Sequence, residues 1–171
     1  MRVLGIDPGY AIVGWGVVEY AGNRFAPVDF GAVCTDAGVP FERRLDEVYT
    51  SIKEVIECTK PEVLAIEKLF YQHNQTTVIG VAEARGVILL AASLRDLPIY
   101  EYTPMQVKQA VAGYGLADKK QVMDMTKRLL KLKAVPKPDD AADALAIAIC
   151  HARSSTSLLS RKEDEGLCST I

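Results

Sequence analysis

The chain has 171 residues, of which 49% are hydrophobic, with a formal net charge of −2 and four cysteines. This length predicts one domain that can bury its own core without disulfides. The longest apolar stretch, around residues 87–92, is far too short to span a bilayer, and no signal-peptide pattern is visible. We therefore expect a cytoplasmic protein with no membrane partner. The cysteines form no CxxC pair, which argues against structural zinc, and we expect three of them in or near the core.

The charge is distributed unevenly along the chain. Its overall sign argues mildly against a nucleic-acid binder, because binding a phosphate backbone depends on Lys and Arg. Residues 108–137, however, contain eight basic and two acidic residues, a local net charge of +6. A solvated helix face is the ordinary interpretation of such a stretch, and a surface for a phosphate backbone is the alternative.

The N-terminal part of the chain predicts three antiparallel strands joined by short turns, over residues 2–7, 11–20 and 28–34. The first strand is apolar and ends at Asp7 in a turn signal. In the second strand, Gly14 and Gly16 alternate with apolar residues. Glycines inside a strand indicate a close approach by another backbone or by a ligand.

The rest of the chain alternates helix and strand and then becomes helical. Apolar periodicity predicts elements over residues 41–60, 63–67, 74–94, 98–102, 104–112, 119–132 and 139–153. This order predicts an α/β domain with a mixed five-stranded sheet flanked by helices, as in ribonuclease H-like domains and the halves of actin-like kinases. We expect this domain to span residues 1–153, and residues 154–171 to form a flexible C-terminal tail.

Four carboxylates are candidates for a divalent-metal site. Asp7 and Glu67 each follow an apolar strand, where a charge is costly unless it is paired or metal-bound, and strand ends are where α/β sheets bind ligands. Asp140 and Asp143 are three residues apart near the start of the last helix and share one face. Oxygen ligands favour Mg²⁺ or Mn²⁺, and two such ions can assist displacement at phosphorus. Taken singly, each is an ordinary turn or helix-start residue, and Asp139 is interpreted as an N-cap.

Several motifs, in order and at compatible spacing over about residues 1–153, resemble RuvC-type Holliday-junction resolvases. They are LGIDPG (4–9), AIEKLF (65–70), ARG (84–86), QVKQ (106–109), GYGLADK (113–119) and DAADALA (140–146). The resemblance implies a ribonuclease H-like homodimer that cuts two strands of a four-way DNA junction symmetrically with Mg²⁺. It implies Asp7, Glu67, Asp140 and Asp143 as the metal ligands and a RuvAB-type helicase complex as partner. Asp139 has no assigned role.

Further residues are candidates for holding DNA. Phe70, three residues after Glu67, is interpreted either as local core or, as the resemblance suggests, as a residue that stacks on an unpaired base. Lys108 and Lys119 match family positions near the scissile phosphate. Lys119 and Lys120 lie in the first turn of a helix, where cations oppose the helix dipole and a bound phosphate would remove the conflict. The apolar helix 76–94 is either central in the core or faces a second subunit.

Three other functions share part of this sequence pattern. An actin-like sugar kinase or ATPase needs two such domains, and the chain has no GxxxxGK[ST] loop. A YqgF-like ribonuclease shares the fold and the first aspartate motif, but this chain keeps the longer resolvase pattern around Glu67 and Lys119. A non-catalytic junction-binding module remains as the third alternative, against which four intact carboxylates argue.

Overall fold

A computed structural model describes residues 1–69 and 75–166, with side chains over residues 1–69 and 78–155. The strands are β1 (Arg2–Asp7), β2 (Ile12–Ala21), β3 (Arg24–Cys34), β4 (Val63–Glu67) and β5 (Ile99–Tyr102). The helices of the described residues are α1 (Phe41–Thr59), α2 (Gln75–Ser93), α3 (Pro104–Ala112), α4 (Lys119–Leu129) and α5 (Asp139–Gly166).

The strands form one mixed sheet in the order β3-β2-β1-β4-β5. The β1/β2 and β2/β3 pairs are antiparallel, whereas β1 and β4, and β4 and β5, run parallel. In the β1/β4 pair, Ile6 lies opposite Ile66, so both strands end at the same edge of the sheet. The predicted mixed five-stranded sheet is therefore confirmed.

Alternation of side chains along β1 and β4 assigns each residue to one face of the sheet. Leu4 packs in a buried cluster with apolar residues of α1 and α2. Val3 and Ala65 pack on the other face, in a cluster with residues of α3, α4 and α5. Asp7 and Glu67 are at even spacing from Val3 and Ala65, so their side chains belong to the face that α5 covers.

Helix α5 lies directly against the backbone of β1 and β2. A Cβ atom added at Gly5 would meet Ala144 O and lie 2.8 Å from Ala148 N, and one added at Gly14 would meet Asp140 O. Larger residues at these strand positions would push the helix away from the sheet. The close approach indicated by the strand glycines is therefore confirmed. The backbone of α5 approaches Gly14, and the side chain of Leu145 in α5 approaches Gly16.

The structure differs from the sequence-based expectations at the last helix and at the cysteines. Helix α5 was expected to end near residue 153 but continues to Gly166. The Ser154 hydroxyl donates to Cys150 O at 2.9 Å, so this serine is accommodated within the helix instead of ending it. Cys34, at the end of strand β3, and Cys58, in the last turn of α1, are exposed, so the expectation of three core cysteines is wrong.

None of the described helices is long and apolar enough to cross a membrane. The predicted start of the second helix, at residue 74, lies outside the described residues.

The contact between α5 and β1 yields a prediction about stability. Replacing Gly5 with Ala would place a methyl group against backbone atoms of α5, which cannot rotate away. We expect Gly5→Ala to lower the free energy of unfolding by about 3 kcal/mol, as for overpacked cores. Denaturant unfolding measures this change. Gly38→Ala is the control, because its Cβ would meet only the Asp36 carboxylate at 3.5 Å. Equal stability of the two variants would contradict the close packing.

A buried hydrogen bond joins α5 to β5. The Tyr102 hydroxyl and His151 Nδ1 are 2.8 Å apart, and the ring of Tyr100 lies 4.5 Å from that of His151. Burial lowers the pKa of His151, because the charged imidazolium loses its hydration. The folded protein therefore holds this histidine neutral more strongly than the unfolded chain does.

This difference predicts a pH dependence of stability. The unfolded chain takes up a proton near the ordinary histidine pKa of about 6.5, while the folded protein does so only at lower pH. As pH falls below about 6.5, His151 therefore reduces stability until its folded pKa is reached. His151→Gln retains a polar group beside Tyr102 but does not titrate. We expect the wild type to lose more unfolding free energy than His151→Gln between pH 7 and 5, in parallel denaturant titrations. Parallel pH curves would contradict this.

Candidate active site

Asp7 and Glu67 come together because their strands are parallel neighbours. Ile6 of β1 lies opposite Ile66 of β4, and each carboxylate is the next residue, the last of its strand. Both side chains line one open cavity of about 810 Å³ beyond the strand ends. This is the placement expected for two carboxylates at the carboxyl edge of an α/β sheet.

Asp140 and Asp143 reach the same region from α5. The main chain at Asp140 lies against Gly14 of β2, and Gly14 pairs with Asp7. Asp143, one turn later, lines a smaller cavity together with Glu67. The glycine contact therefore holds the start of the helix beside the strand ends, and it brings the four predicted carboxylates to one place.

The mutual repulsion of these carboxylates is visible in their pKa values. Burial, followed by the charges of Glu67, Asp143 and Asp140, raises the pKa of Asp7 to about 8, and Lys119 partly opposes this rise. Burial and the charge of Asp143 raise the pKa of Glu67, which Lys108 opposes. Burial also raises the pKa of Asp143, against the effect of Lys119. Carboxylates that resist ionisation together are stabilised by a nearby cation.

Lys119 supplies one such cation. Its Nζ lies 3.0 Å from Asp143 Oδ2, and this ion pair raises the pKa of Lys119. Its first-turn position results from a capping box in which the Asp118 side chain accepts from Gln121 N. The carboxylate of Asp143 therefore offsets the predicted unfavourable interaction between Lys119 and the helix dipole.

Asp139 is in a different environment from the four predicted ligands, Asp7, Glu67, Asp140 and Asp143. It is the first residue of α5, and its Oδ1 accepts from Lys137 Nζ at 2.7 Å. This hydrogen bond lowers the pKa of Asp139, whereas burial raises the pKa of Asp7, Glu67 and Asp143. Asp139 therefore offers an exposed, already neutralised carboxylate and is the weakest candidate ligand of the group.

Lys108 lines both cavities together with Glu67, so it lies between the strand ends and α4. Lys120 is exposed on the next position of α4, outside the residues that line these cavities. Phe70 lies outside the described residues, and its predicted stacking role stays a prediction. Sequence reasoning did not identify Met105 and Leu116, which line the larger cavity and are exposed. For Leu116, the sequence signal was its place in the GYGLADK motif, as an apolar residue directly after Gly115.

The residues fit a divalent cation in chemistry and in charge. Their donors are carboxylate oxygens, which Mg²⁺ and Mn²⁺ prefer, and their burial and repulsion favour a bound cation. Among the described side chains of residues 1–69 and 78–155, no three His, Cys, Asp or Glu already form a metal-binding group. Binding would therefore require these side chains to draw together, with the Lys119 ammonium released from or shared with Asp143.

The family model for the crossover junction endodeoxyribonuclease RuvC matches residues 3–151 of the chain. The chain belongs to this family. A RuvC from Brevibacillus brevis is 56% identical over 153 residues, which are 90% of this chain and 92% of the relative. The family assignment predicted from the ordered motifs is thus confirmed, as is the class of enzyme, an endonuclease that acts on DNA.

Solved structures agree with this assignment. The RuvC structure from Thermus thermophilus aligns with a TM-score of 0.85 and 37% identity, covering 92% of this chain and 96% of that one. T. thermophilus RuvC in complex with Holliday junction substrate aligns with a TM-score of 0.87 and 38% identity, covering 91% and 94%. The predicted ribonuclease H-like fold is confirmed.

The ion pair between Lys119 and Asp143 yields a prediction for the metal-free protein. Asp143 is partly buried, so removal of Lys119 leaves its charge without a partner. In a double-mutant cycle with Lys119→Met and Asp143→Asn, we expect a coupling energy of about 1 kcal/mol, as for partly exposed pairs. The control cycle uses Lys137 and Asp139, which are more exposed, and should give a smaller coupling. Denaturant unfolding in a chelator measures both; a larger coupling in the control pair would contradict this assignment.

Proposed function

We propose that this protein resolves four-way (Holliday) DNA junctions by paired, symmetric nicks during homologous recombination and DNA repair. The observation that carries the proposal is the convergence of four carboxylates on one end of the sheet, in a chain of the RuvC family. The relative of known structure in complex with Holliday junction substrate supports the same substrate for this chain.

Asp7, Glu67, Asp140 and Asp143 are the proposed ligands of two Mg²⁺ ions per site, which Mn²⁺ can replace. When bound, these ions supply Lewis acidity and neutralise charge at the phosphate. In the reaction, a water oxygen bonds to phosphorus in line with the departing 3′ oxygen. The water gives up one proton, the P–O3′ bond breaks, and the 3′ oxygen takes up one proton, so the products are a 5′-phosphate and a 3′-hydroxyl.

Lys108 and Lys119 have a proposed role beside the scissile phosphate. Lys108 lies at the strand ends next to Glu67, and Lys119 lies next to Asp143. Their ammonium groups stabilise the additional negative charge that develops on the phosphate oxygens. Lys120, exposed on the same helix, is proposed to contact the backbone further along the strand. Phe70 is proposed to stack on an unpaired base at the crossover.

A homodimer is part of the proposal, because two symmetric cuts need two sites related by a two-fold axis. Helix α2 supplies a suitable surface. Ile79, Leu90 and Leu94 are 67%, 52% and 61% exposed, and their spacing places them on one side of the helix and its end. Ala84 and Ile88 on the opposite side are fully buried. An apolar stripe of this kind is typical of a protein interface.

The remaining partner and location proposals rest on family membership. We propose a RuvAB-type branch-migration helicase complex as the partner that presents the junction, and a cytoplasmic location. The alternatives are less well supported. A YqgF-like ribonuclease does not account for the family match over residues 3–151. A non-catalytic junction-binding module does not account for carboxylates kept together despite their repulsion.

Nicking by an Asp7 variant tests the proposed site. Asp7→Asn removes a charge from the centre of the carboxylate group while preserving shape. On a synthetic four-way junction with Mg²⁺, we expect junction binding to survive and paired nicking to fall by at least about a hundredfold. Wild-type nicking should also stop in a chelator. Gel assays of binding and nicking, run in parallel, measure both quantities.

Asp139→Asn is the matched control. It makes the same substitution at the first residue of α5, in an exposed carboxylate that is paired with Lys137. It should retain nicking within a few-fold of wild type. Undiminished nicking by Asp7→Asn would contradict the assignment of the site. If the wild type cut linear duplex as fast as four-way junctions, the assignment of the substrate would be contradicted.

The dimer proposal has its own test. Leu90→Asp places a charge in the exposed apolar stripe of α2, where burial against a second subunit would strand it without a partner. We expect this variant to be a folded monomer in analytical ultracentrifugation, at concentrations at which the wild type is a dimer. Val39→Asp, at a residue 37% exposed outside the stripe, should leave the dimer intact. A dimeric Leu90→Asp would place the interface elsewhere.

A further inference from the structure

A second cavity adjoins the carboxylate cavity. It has a volume of about 650 Å³ and lies beside α3 and the middle of α5. Met105, Gly115 and Leu116 line both cavities and so form a partition between them. The partition therefore borders the cavity that holds Asp7 and Glu67, and the second cavity lies on its other side.

Leu116 is displayed at the top of the partition. Its side chain is 87% exposed, more than any other large hydrophobic residue of the described part of the chain. Its neighbours are held in place: Ala117 is fully buried, and a Cβ at Gly115 would lie 2.8 Å from Met105 Cγ. The Tyr114 hydroxyl donates to Gln121 Oε1 at 2.6 Å, which anchors the loop to α4. An anchored loop that exposes a leucine indicates a contact surface.

The residues that line the second cavity favour the binding of a segment of a polyanion. None of its lining residues is acidic, and Arg153 contributes a positive charge at its edge. The Arg153 guanidinium donates to Ala110 O, which holds it there. Backbone phosphates of a nucleic acid are compatible with such an edge, whereas the apolar partition suits a flat, uncharged group.

Two side-chain amides that line the cavity each form a hydrogen bond to the protein through only one of their two polar atoms. Gln106 Oε1 accepts from Thr103 N at 2.8 Å in the capping box of α3, which leaves its NH₂ group. Gln109 Nε2 donates to Gly113 O at 2.7 Å, which leaves its carbonyl oxygen. Within the described residues, these remaining atoms have no protein partner. A fixed donor and a fixed acceptor are the groups that recognise the edge of a nucleobase.

We infer that the second cavity receives an unpaired nucleobase next to the cleaved phosphodiester, with Leu116 and Met105 against its face and Gln106 and Gln109 at its edge. This inference rests on the proposed function, because the carboxylate cavity must bind the phosphate. It is a specificity site: it affects which nucleotide is accepted beside the cut, and it takes no part in the bond-breaking step.

Gln106→Glu is a precise test of the edge contact. Glutamate keeps an oxygen acceptor for the Thr103 N–H, so the capping box and the helix are preserved. The NH₂ donor that faces a base is replaced by an oxygen acceptor. Thymine has no exocyclic amino group, whereas adenine and cytosine do. We expect the nicking rate with thymine in the cavity to fall by roughly tenfold relative to adenine or cytosine.

The assay uses synthetic four-way junctions that differ only in the nucleotides flanking the cleaved phosphate, with the full-length protein and Mg²⁺. Ratios of nicking rates within this set cancel the uniform repulsion that an added negative charge exerts on every junction. Gln121→Glu is the matched control: it is the same substitution at the equivalent position of the α4 capping box, outside the lining of the cavity. Its ratios should equal those of the wild type.

Leu116→Ala tests the face contact. Because the side chain is exposed, its removal does not affect the core. We expect the ratio of nicking rates between the best and the worst flanking nucleotide to fall roughly tenfold, because the leucine no longer buries its side chain against the base. A fluorescent 2-aminopurine placed beside the cut, with Ca²⁺ replacing Mg²⁺, should be less perturbed on binding to this variant than to the wild type. Val39→Ala, another exposed apolar residue, is the control.

Each outcome decides the inference. Altered ratios in Gln106→Glu and Leu116→Ala, with unchanged ratios in both controls, support it. Wild-type ratios in either variant, or a wild type indifferent to the flanking nucleotides, overturn it while leaving junction resolution intact. A wild type that does not nick junctions at all overturns the proposed function itself.

Discussion

The direct contact between the backbone of α5 and the backbone of the sheet is the constraint on which the rest of the site depends. It exists because Gly5 and Gly14 have no side chains and because Ala144 and Ala148 of the helix are small. Main-chain contact leaves little freedom for sliding or tilting, since interiors are close-packed. The carboxylates of α5 are therefore positioned by secondary structure and not by a loop, which is the arrangement that holds functional groups most precisely.

Bringing four carboxylates together costs free energy that the fold must offset. The raised pKa of Asp7, to about 8, expresses this cost, because burial and three neighbouring charges oppose its ionisation. Lys119 offsets part of it from a separate helix, through its contact with Asp143. Function and stability are thus opposed at this point: the same repulsion that weakens the metal-free protein increases the attraction for a cation. Sites that bind highly charged ligands commonly have this character.

The main features of the fold were predictable from local pattern. The ends of β1 and β4 follow from apolar runs that stop at Asp7 and Glu67, and the helical spacing of Asp140 and Asp143 places them on one face. The strand glycines predicted a close approach but not its partner, because the group that approaches comes from a helix more than a hundred residues away.

Other features depend on contacts that no local pattern encodes. The pairing of Lys119 with Asp143 joins two helices, and the exposure of Leu116 depends on how the loop before α4 is anchored to Gln121. The length of α5 was underestimated because serines favour helix ends in general, whereas Ser154 bonds back to a helix carbonyl. Each of these features requires knowledge of the tertiary neighbour.

The alternation of side chains along β1 and β4 has a consequence for how the gene can vary. Asp7 follows Gly5 by two residues and Glu67 follows Ala65 by two, which keeps each carboxylate on the α5 side of the sheet. Inserting or deleting one codon within either strand would turn the carboxylate to the α1 and α2 side without changing its chemistry. The hairpin at Gly22 and Asn23 carries no such restriction. Tolerance to insertions and deletions should therefore be lowest in two short strands whose composition is otherwise unremarkable.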